Sequence, residues 1–489
     1  MYFHARTIAR ITGLIMTITG LAMIPPFLCA LYYNDPRTAI AMAVSCIVSV
    51  IPGALMYFLL RSSKKGLQFR DGYLTVIISW AACSLLGALP YWLSGQVPSL
   101  IDAFFESCSG YTTTGATVII ERSLTHSLLL WKAVTHWLGG MGILIFIIAV
   151  LPALGVGGHK IASAEAPWAS LNKIAPRTSD LAKLLYFIYI SFTLLEFILL
   201  SFSKMSLFEA IINSLGSVST AGLLLHPDGV AFYDSFYAET VISVFTILSS
   251  VNYMMYIYII KRNFSDLKDN VEIKVFLGII AFTTLMITAS LRISGTYDSL
   301  FTSFRHAFFQ VTSISTTSGY AIGDFDVWPA FSKALLFTLF FIGGCAAATS
   351  GSIEVIRIII MFKLIMRGFY KRLHPLAVRA VKIRGKNISA PMVSAVTSFI
   401  ILYFALYLFS VLVLSVQGLD METTLSSAAG LMSNTGVGFG EVSEGNFSCY
   451  SAPLKLYMSL LMVVGRLELF TVFLLFVPSF WNPNRSNTR

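Results

Sequence analysis

Four short runs rich in threonine and serine, each closed by a glycine, recur along this 489-residue chain. They are Thr112-Thr113-Thr114-Gly115, Ser219-Thr220-Ala221-Gly222, Thr316-Thr317-Ser318-Gly319 and Ser433-Asn434-Thr435-Gly436, with 107, 97 and 117 residues from one glycine to the next. Such residues offer backbone carbonyls and hydroxyl oxygens, and glycine reaches φ > 0 with no Cβ to obstruct a narrow path. Uncharged oxygen ligands of this kind can replace the hydration shell of a monovalent cation. Ca²⁺ and Mg²⁺ sites ordinarily include carboxylates. A single copy reads equally as a Gly/Ser/Thr packing motif of transmembrane helices. Four in register, about one hundred residues apart, mark an internal repeat.

The elements that must position these turns follow from composition. The chain is 56% hydrophobic and 12% charged, with a mean hydropathy of +0.76, whereas an ordinary soluble domain is about 25% charged. This is a polytopic membrane protein. A span needs about 20 apolar residues, and ten stretches qualify: 11–33, 39–60, 73–95, 126–156, 183–204, 236–260, 274–293, 332–362, 389–416 and 454–480. Arg6 and Arg10 ahead of the first stretch resemble a signal peptide, but the apolar run is too long for one and reads as a retained span. After the third, fifth, seventh and ninth stretches lies an apolar segment too short to span, a re-entrant candidate.

Aligned on their glycines, the four short segments match without gaps. Ala103, Ala210, Ala307 and Thr424 stand twelve residues before, and Phe104, Ile211, Phe308 and Leu425 eleven before. Glu106, Asn213, Gln310 and Ser427 stand nine before. The fold class expected is all-α, with four pseudo-symmetric span–pore-helix–span repeats around one pore plus two extra N-terminal transmembrane helices. The units are 1–66 for the two N-terminal helices, then 67–160, 161–264, 265–370 and 371–489 for repeats one to four.

Charge placement sets the orientation. Bases collect after spans two, four, six and eight: Arg61, Lys64, Lys65, Arg70; Lys160, Lys173, Arg177, Lys183; Lys261, Arg262, Lys268, Lys274; and a dense run from Lys363 to Lys386. The other face carries acids, among them Asp102, Glu121, Asp228, Glu239, Asp326, Asp420, Glu422 and Glu441. Positive-inside topology then puts both termini, with Arg485 and Arg489, in the cytoplasm and the turns on the outer side. The net charge of +10 thus reflects the membrane, and no nucleic-acid partner is implied. A half-helix entering from outside directs its partially negative C-terminal end toward mid-membrane, where it favours a cation. The six cysteines are scattered and form no CxxC, so they read as buried thiols. No HExxH, GxSxG or Walker A motif occurs, so the chain is not an enzyme and any nucleotide control must come from a partner. A carrier of an organic solute would show an inverted repeat and a polar substrate cluster; these repeats run in one orientation.

On these residues the chain resembles the Trk/Ktr/HKT superfamily of potassium transporters, and the TrkH/TrkG type in particular, over nearly its whole length. Beside the four tetrapeptides, the resemblance is carried by Trp137-Leu138-Gly139-Gly140-Met141-Gly142, Leu151-Pro152, Gly155-Val156-Gly157-Gly158, Ala175-Pro176-Arg177, His374-Pro375 and Gly465-Arg466-Leu467-Glu468. It implies K⁺ uptake across a bacterial inner membrane, with K⁺ as the transported ion and no cofactor in this chain. It also implies a homodimer and a TrkA-like cytosolic NAD/ATP-binding regulatory subunit. Glycine in all four filters goes with K⁺ selectivity in the family, and serine in the first with Na⁺ transport. The alternatives are a Na⁺-permeable cation transporter or a secondary transporter of another solute, and the coupling ion (H⁺, Na⁺ or none) stays open.

The resemblance also implies a gate. It places a glycine-rich loop in the eighth span, here Gly343-Gly344-Cys345-Ala346-Ala347-Ala348-Thr349-Ser350-Gly351-Ser352, against Arg466 of the tenth. An arginine at that depth costs roughly 2.5–3.5 kcal/mol unless partnered, and from the sequence alone its partner could equally be Glu468 or a carbonyl. Ala221 stands where the family often has Gly, Val437 where Pro is common, and Glu354 where Lys is usual. Glu196 and His136 read as structural. The first filter copy is the most regular, and the fourth, with Asn434 and Val437, is where the sequence defines the ligand geometry least.

Overall fold

The structure is a computed structural model, and it describes residues 3–60, 69–119, 123–142, 178–223, 225–226, 228–262, 269–377, 380–383, 386–467 and 469–481. The motifs at 151–158 and 175–177, Glu468, Arg485 and Arg489 lie outside them, as does the end of the expected fourth span.

The chain is an all-helical multi-span membrane protein. Among the described residues the small exceptions are an antiparallel pairing of Lys382–Ile383 with Lys386–Asn387 and two isolated bridges, Thr117 to Asn446 and Gly229 to Ile322. Among the described residues, six helices are long and apolar enough to cross a membrane: Ala5–Tyr32, Pro36–Leu59, Arg70–Leu93, Ala182–Leu200, Val271–Ile293 and Ala390–Gln417. Their outward faces carry exposed Leu, Ile and Phe, such as Leu194, Ile198, Phe282, Leu285, Ile401 and Leu408. Surface of that kind belongs against lipid, since no loop or open edge could stand there.

Three further expected spans, the sixth, eighth and tenth, are not straight helices. The stretch 236–260 is Phe236–Ser250 followed by Tyr253–Ile260, bent by 91°; the last is Ala452–Arg466 followed by Leu469–Phe476, bent by 115°. The expected helix 332–362 is corrected outright: Ala330–Leu339 and Val355–Leu373 flank a non-helical stretch. Hydropathy reports composition and not direction, so a break inside an apolar run leaves it unchanged. The causes are local. Gly343, Gly344 and Gly351 weaken the eighth, and Asn252 caps a new helix by accepting from Met254 N at 2.9 Å in the sixth.

Four short helices precede the four tetrapeptides: Leu100–Tyr111, Leu207–Val218, Leu300–Ser315 and Met421–Met432. Three have 12 residues, about 18 Å at 1.5 Å per residue, well short of a hydrocarbon core of about 30 Å. Their starts are set by N-caps. Ser99 accepts from Asp102 N, Ser206 forms a capping box with Glu209, and Asp420 accepts from Thr423 N.

Candidate functional site: four capped loops and a loop packed against them

Each short helix ends in the same way. The first tetrapeptide residue (Thr112, Ser219, Thr316, Ser433) is the C-cap, and the second is left-handed: Thr113 at φ 54°, Thr220 at 53°, Thr317 at 56° and Asn434 at 57°. The second residue's N–H reaches back three residues, to Gly110, Ser217, Ile314 and Leu431 respectively. The third reaches back five, to Ser109, Gly216, Ser313 and Gly430. This is a Schellman cap in every copy. Glycine normally takes the left-handed place; here a threonine does in three copies, at a cost of about 1–2 kcal/mol each. Strain of that kind gathers at functional sites, and it was not legible in the sequence, where φ > 0 is expected at the glycines alone.

Gly115, Gly319 and Gly436 are left-handed as well, with φ of 81°, 71° and 75°, but Gly222 is not. Its N–H donates instead to the carbonyl of Ser318 in the next loop. The second copy therefore differs from the other three at its glycine. Ala221, fully buried ahead of Gly222, is where that copy already differed in sequence.

The loops touch in cyclic order. A Cβ on Gly115 would stand 2.7 Å from the carbonyl oxygen of Gly222. One on Gly222 would strike Ser318 O, one on Gly319 would strike Thr435 O, and one on Gly436 would strike Thr114 O. The first two tetrapeptide residues and the third are all at most 1% exposed. Hydroxyls of Thr112, Ser219 and Thr316 donate to helix carbonyls at 2.7, 2.7 and 2.8 Å, and Thr112 Oγ1 in turn lies 2.8 Å from Thr114 Oγ1. Ion pairs tie the flanks: Lys455 to Asp102 at 2.8 Å, Lys333 to Glu422 at 2.6 Å, and Arg305 to Glu239 at 2.6 Å.

The expected gating residues lie together against these loops. Thr349 Oγ1 is 3.2 Å from Thr220 Oγ1, Gly351 N donates to Thr317 Oγ1 at 2.8 Å, and Gly351 abuts Ser433 O and Asn434. Gly344 packs on Ser350 and Ser250, and Gly343 on Gly351. Cys345 N and Thr349 N donate to the carbonyls of Ser250 and Ser249, at the break in the sixth span. Arg466 donates to Thr349 O at 2.7 Å and to Gly139 O and Gly140 O at 2.7 and 2.9 Å. The loop and Arg466 together thus touch chain from all four expected repeats. A carbonyl was one of the partners the sequence left open for Arg466; that Gly139 and Gly140 supply two of them was not legible there.

Sequence reading also missed two carboxylates. Glu272 Oε1 accepts from Ala346 N at 2.8 Å and Ile356 N at 3.2 Å, bracketing the 343–352 loop. Glu106 and Lys132, both fully buried, pair at 3.1 Å. A charge in an apolar segment was the available signal for Glu106 and Lys132; Glu272 lies just ahead of the seventh apolar stretch, among other polar residues, and gave none. Glu196, fully buried, accepts from Ser217 Oγ at 2.5 Å, and His136 is fully buried. Glu354 pairs with Arg357 at 3.1 Å. Among the described residues no cluster of His, Cys, Asp and Glu could hold a metal ion in the ordinary way.

Residues 39–483 match the family model TrkH, described as a cation transport protein. The chain is 35% identical to the Trk system potassium uptake protein TrkH of Salmonella typhimurium over 98% of its own length and 99% of that protein's. It is 32% identical to the Trk system potassium uptake protein TrkG of Escherichia coli, covering 98% and 99%. The crystal structure of the potassium transporter TrkH from Vibrio parahaemolyticus superposes with a TM-score of 0.88 at 32% identity, covering 98% of this chain and all of that one.

Proposed function

This chain belongs to the TrkH family of cation transport proteins and serves Trk-type potassium uptake across a membrane, and on that premise we propose that its four tetrapeptides form one K⁺ selectivity filter. The reading takes 67–160, 161–264, 265–370 and 371–489 as four pseudo-symmetric repeats around a single pore, with 1–66 outside it. The observation that carries it is the cyclic contact of the loops, each glycine seated against the backbone of the next.

In this reading each Schellman cap fixes the carbonyls at a helix C-terminus, and the loop that follows presents its own carbonyls inward. Four half-helices aim partial negative charge at the enclosed space. Neutral oxygens then replace the waters of a desolvated K⁺. A glycine suits the fourth place because a Cβ there crowds a neighbouring carbonyl, the atom that should face the ion, least at Gly115 and most at Gly319 and Gly436.

The 343–352 loop with Arg466 acts as the gate. Gly343, Gly344, Thr349, Ser350 and Gly351 let it pack closely against the filter, and the guanidinium pins it through Thr349 O. A cationic side chain at this place also opposes cation passage electrostatically. Opening means moving the loop, and the force is supplied by a TrkA-like cytosolic NAD/ATP-binding regulatory subunit docked near the basic stretch 363–386. A homodimer in the bacterial inner membrane, both termini cytoplasmic, completes the arrangement.

The test is uptake. Expression in a bacterium deficient in K⁺ uptake should restore growth at low K⁺, and ⁸⁶Rb⁺ should enter vesicles when the regulator is supplied. No Rb⁺ or K⁺ flux in such vesicles would refute the reading.

A further inference from the structure

The four repeats differ at one pair of equivalent buried positions. The residue nine before each filter glycine is Glu106, Asn213, Gln310 or Ser427, acidic only in the first. The seventh residue of the helix after each filter is Lys132, Ile242, Leu336 or Met458, all at most 1% exposed and basic only in the first. The two odd residues meet: Lys132 Nζ lies 3.1 Å from Glu106 Oε2, with both side chains at 0% exposure.

Their other contacts show what the pair holds. Glu106 Oε1 accepts from Val118 N at 2.7 Å and from Thr117 Oγ1 at 2.6 Å, on the backbone that leaves Gly115. That backbone is stitched onward to the loop after the fourth filter: Thr117 N donates to Gly445 O at 2.9 Å, and Phe447 N to Thr117 O at 2.7 Å. The third repeat makes the corresponding contact weakly, from Ile322 N to Gln310 Oε1 at 3.4 Å. In the fourth, Phe439 N donates to Ser426 Oγ at 2.8 Å. Among the described residues, the first quarter is the one in which the side chain nine before the glycine ties that backbone with a charge-assisted bond, the shorter and stronger kind; the second quarter carries its carboxylate at the start of the short helix instead, where Glu209 pairs with His226 at 2.9 Å.

We propose that the Glu106–Lys132 ion pair is a positioning device that sets K⁺ over Na⁺ discrimination in the first quarter of the filter. Lys132 locks the Glu106 carboxylate, which anchors the strand leaving Gly115 so that its carbonyls cannot close in around a smaller ion. A buried ion pair is weak as a source of stability, so retention of one behind a single filter suits a role in geometry. The inference rests on the filter reading above.

The experiment uses full-length protein in proteoliposomes and measures the K⁺/Na⁺ permeability ratio. Glu106→Asp keeps the charge but withdraws the carboxylate by one methylene from Val118 N–H. It should lower the ratio about tenfold or more, the factor carried by one hydrogen bond to a charged group. Glu106→Gln with Lys132→Leu copies the third repeat and should lower it similarly while K⁺ still permeates. Lys132→Arg retains the pair and should retain the ratio. A wild-type ratio in Glu106→Asp overturns the proposal, even if the double variant does not fold. So does a lowered ratio in Lys132→Arg equal to that of Glu106→Asp. Gly115→Ser in the same assay separates the two levels. If it relaxes selectivity and Glu106→Asp does not, this inference alone fails; if it too leaves the ratio unchanged, the filter reading fails.

Discussion

Replacing Arg466 with alanine should raise flux in the absence of the regulator. The guanidinium makes bonds of 2.7, 2.7 and 2.9 Å to Thr349, Gly139 and Gly140, and only the first holds the 343–352 loop. A hydrogen bond from a charged donor contributes about 1.5–3 kcal/mol. At 1.4 kcal/mol per tenfold, loss of that bond shifts the ratio of open to closed protein by roughly 10- to 150-fold. The other two bonds join the tenth span to the end of the helix His126–Gly140, and their loss adds mobility at the same place. Arg466→Lys keeps the charge but lacks the planar fork that reaches separate carbonyls, so it should fall between alanine and wild type. The assay is initial ⁸⁶Rb⁺ uptake into proteoliposomes holding this chain alone. Flux equal to or below wild type in Arg466→Ala would refute the gate.

Three more outcomes follow from the same geometry. Glu272→Ala removes the acceptor for Ala346 N and Ile356 N and should raise regulator-free flux about tenfold or more, whereas Glu272→Gln, still an acceptor, should stay near wild type; the ⁸⁶Rb⁺ assay compares them. Alanine at Gly319 or Gly436 drives a Cβ into Thr435 O or Thr114 O, while at Gly115 it stands 2.7 Å from Gly222 O, so uptake should survive best in Gly115→Ala and growth at low K⁺ should show that order. Ser217→Ala leaves the buried Glu196 without its 2.5 Å donor and should cost about 1–3 kcal/mol, seen as a lower thermal unfolding midpoint in detergent, with K⁺/Na⁺ selectivity unchanged.

Much of the fold was legible because apolar length is a one-dimensional property. The short helices could be seen from segments too brief to span, and Ser99, Ser206 and Asp420 were visible caps that went unused. Direction was not legible. The breaks after Ser250, Leu339 and Arg466 sit inside apolar runs, where composition gives no sign of which way the chain turns. Of the candidate site, the residues that meet were named: Arg466 and Thr349 are 117 positions apart, and the resemblance, not periodicity, joined them. The left-handed threonines escaped notice because propensity assigns that conformation to glycine, and only a whole Schellman cap makes Thr113, Thr220 and Thr317 adopt it. The Glu106–Lys132 pair joins two separate elements, and no local pattern relates them.

The most direct test of the central claim, that four glycine-closed loops select K⁺, is the K⁺/Na⁺ permeability ratio of Gly115→Ser in proteoliposomes. Gly115 has φ 81° and the most room of the three left-handed filter glycines, so the variant should fold and conduct while discriminating less. A ratio several-fold below wild type is the predicted result; an unchanged ratio with full flux would contradict the account.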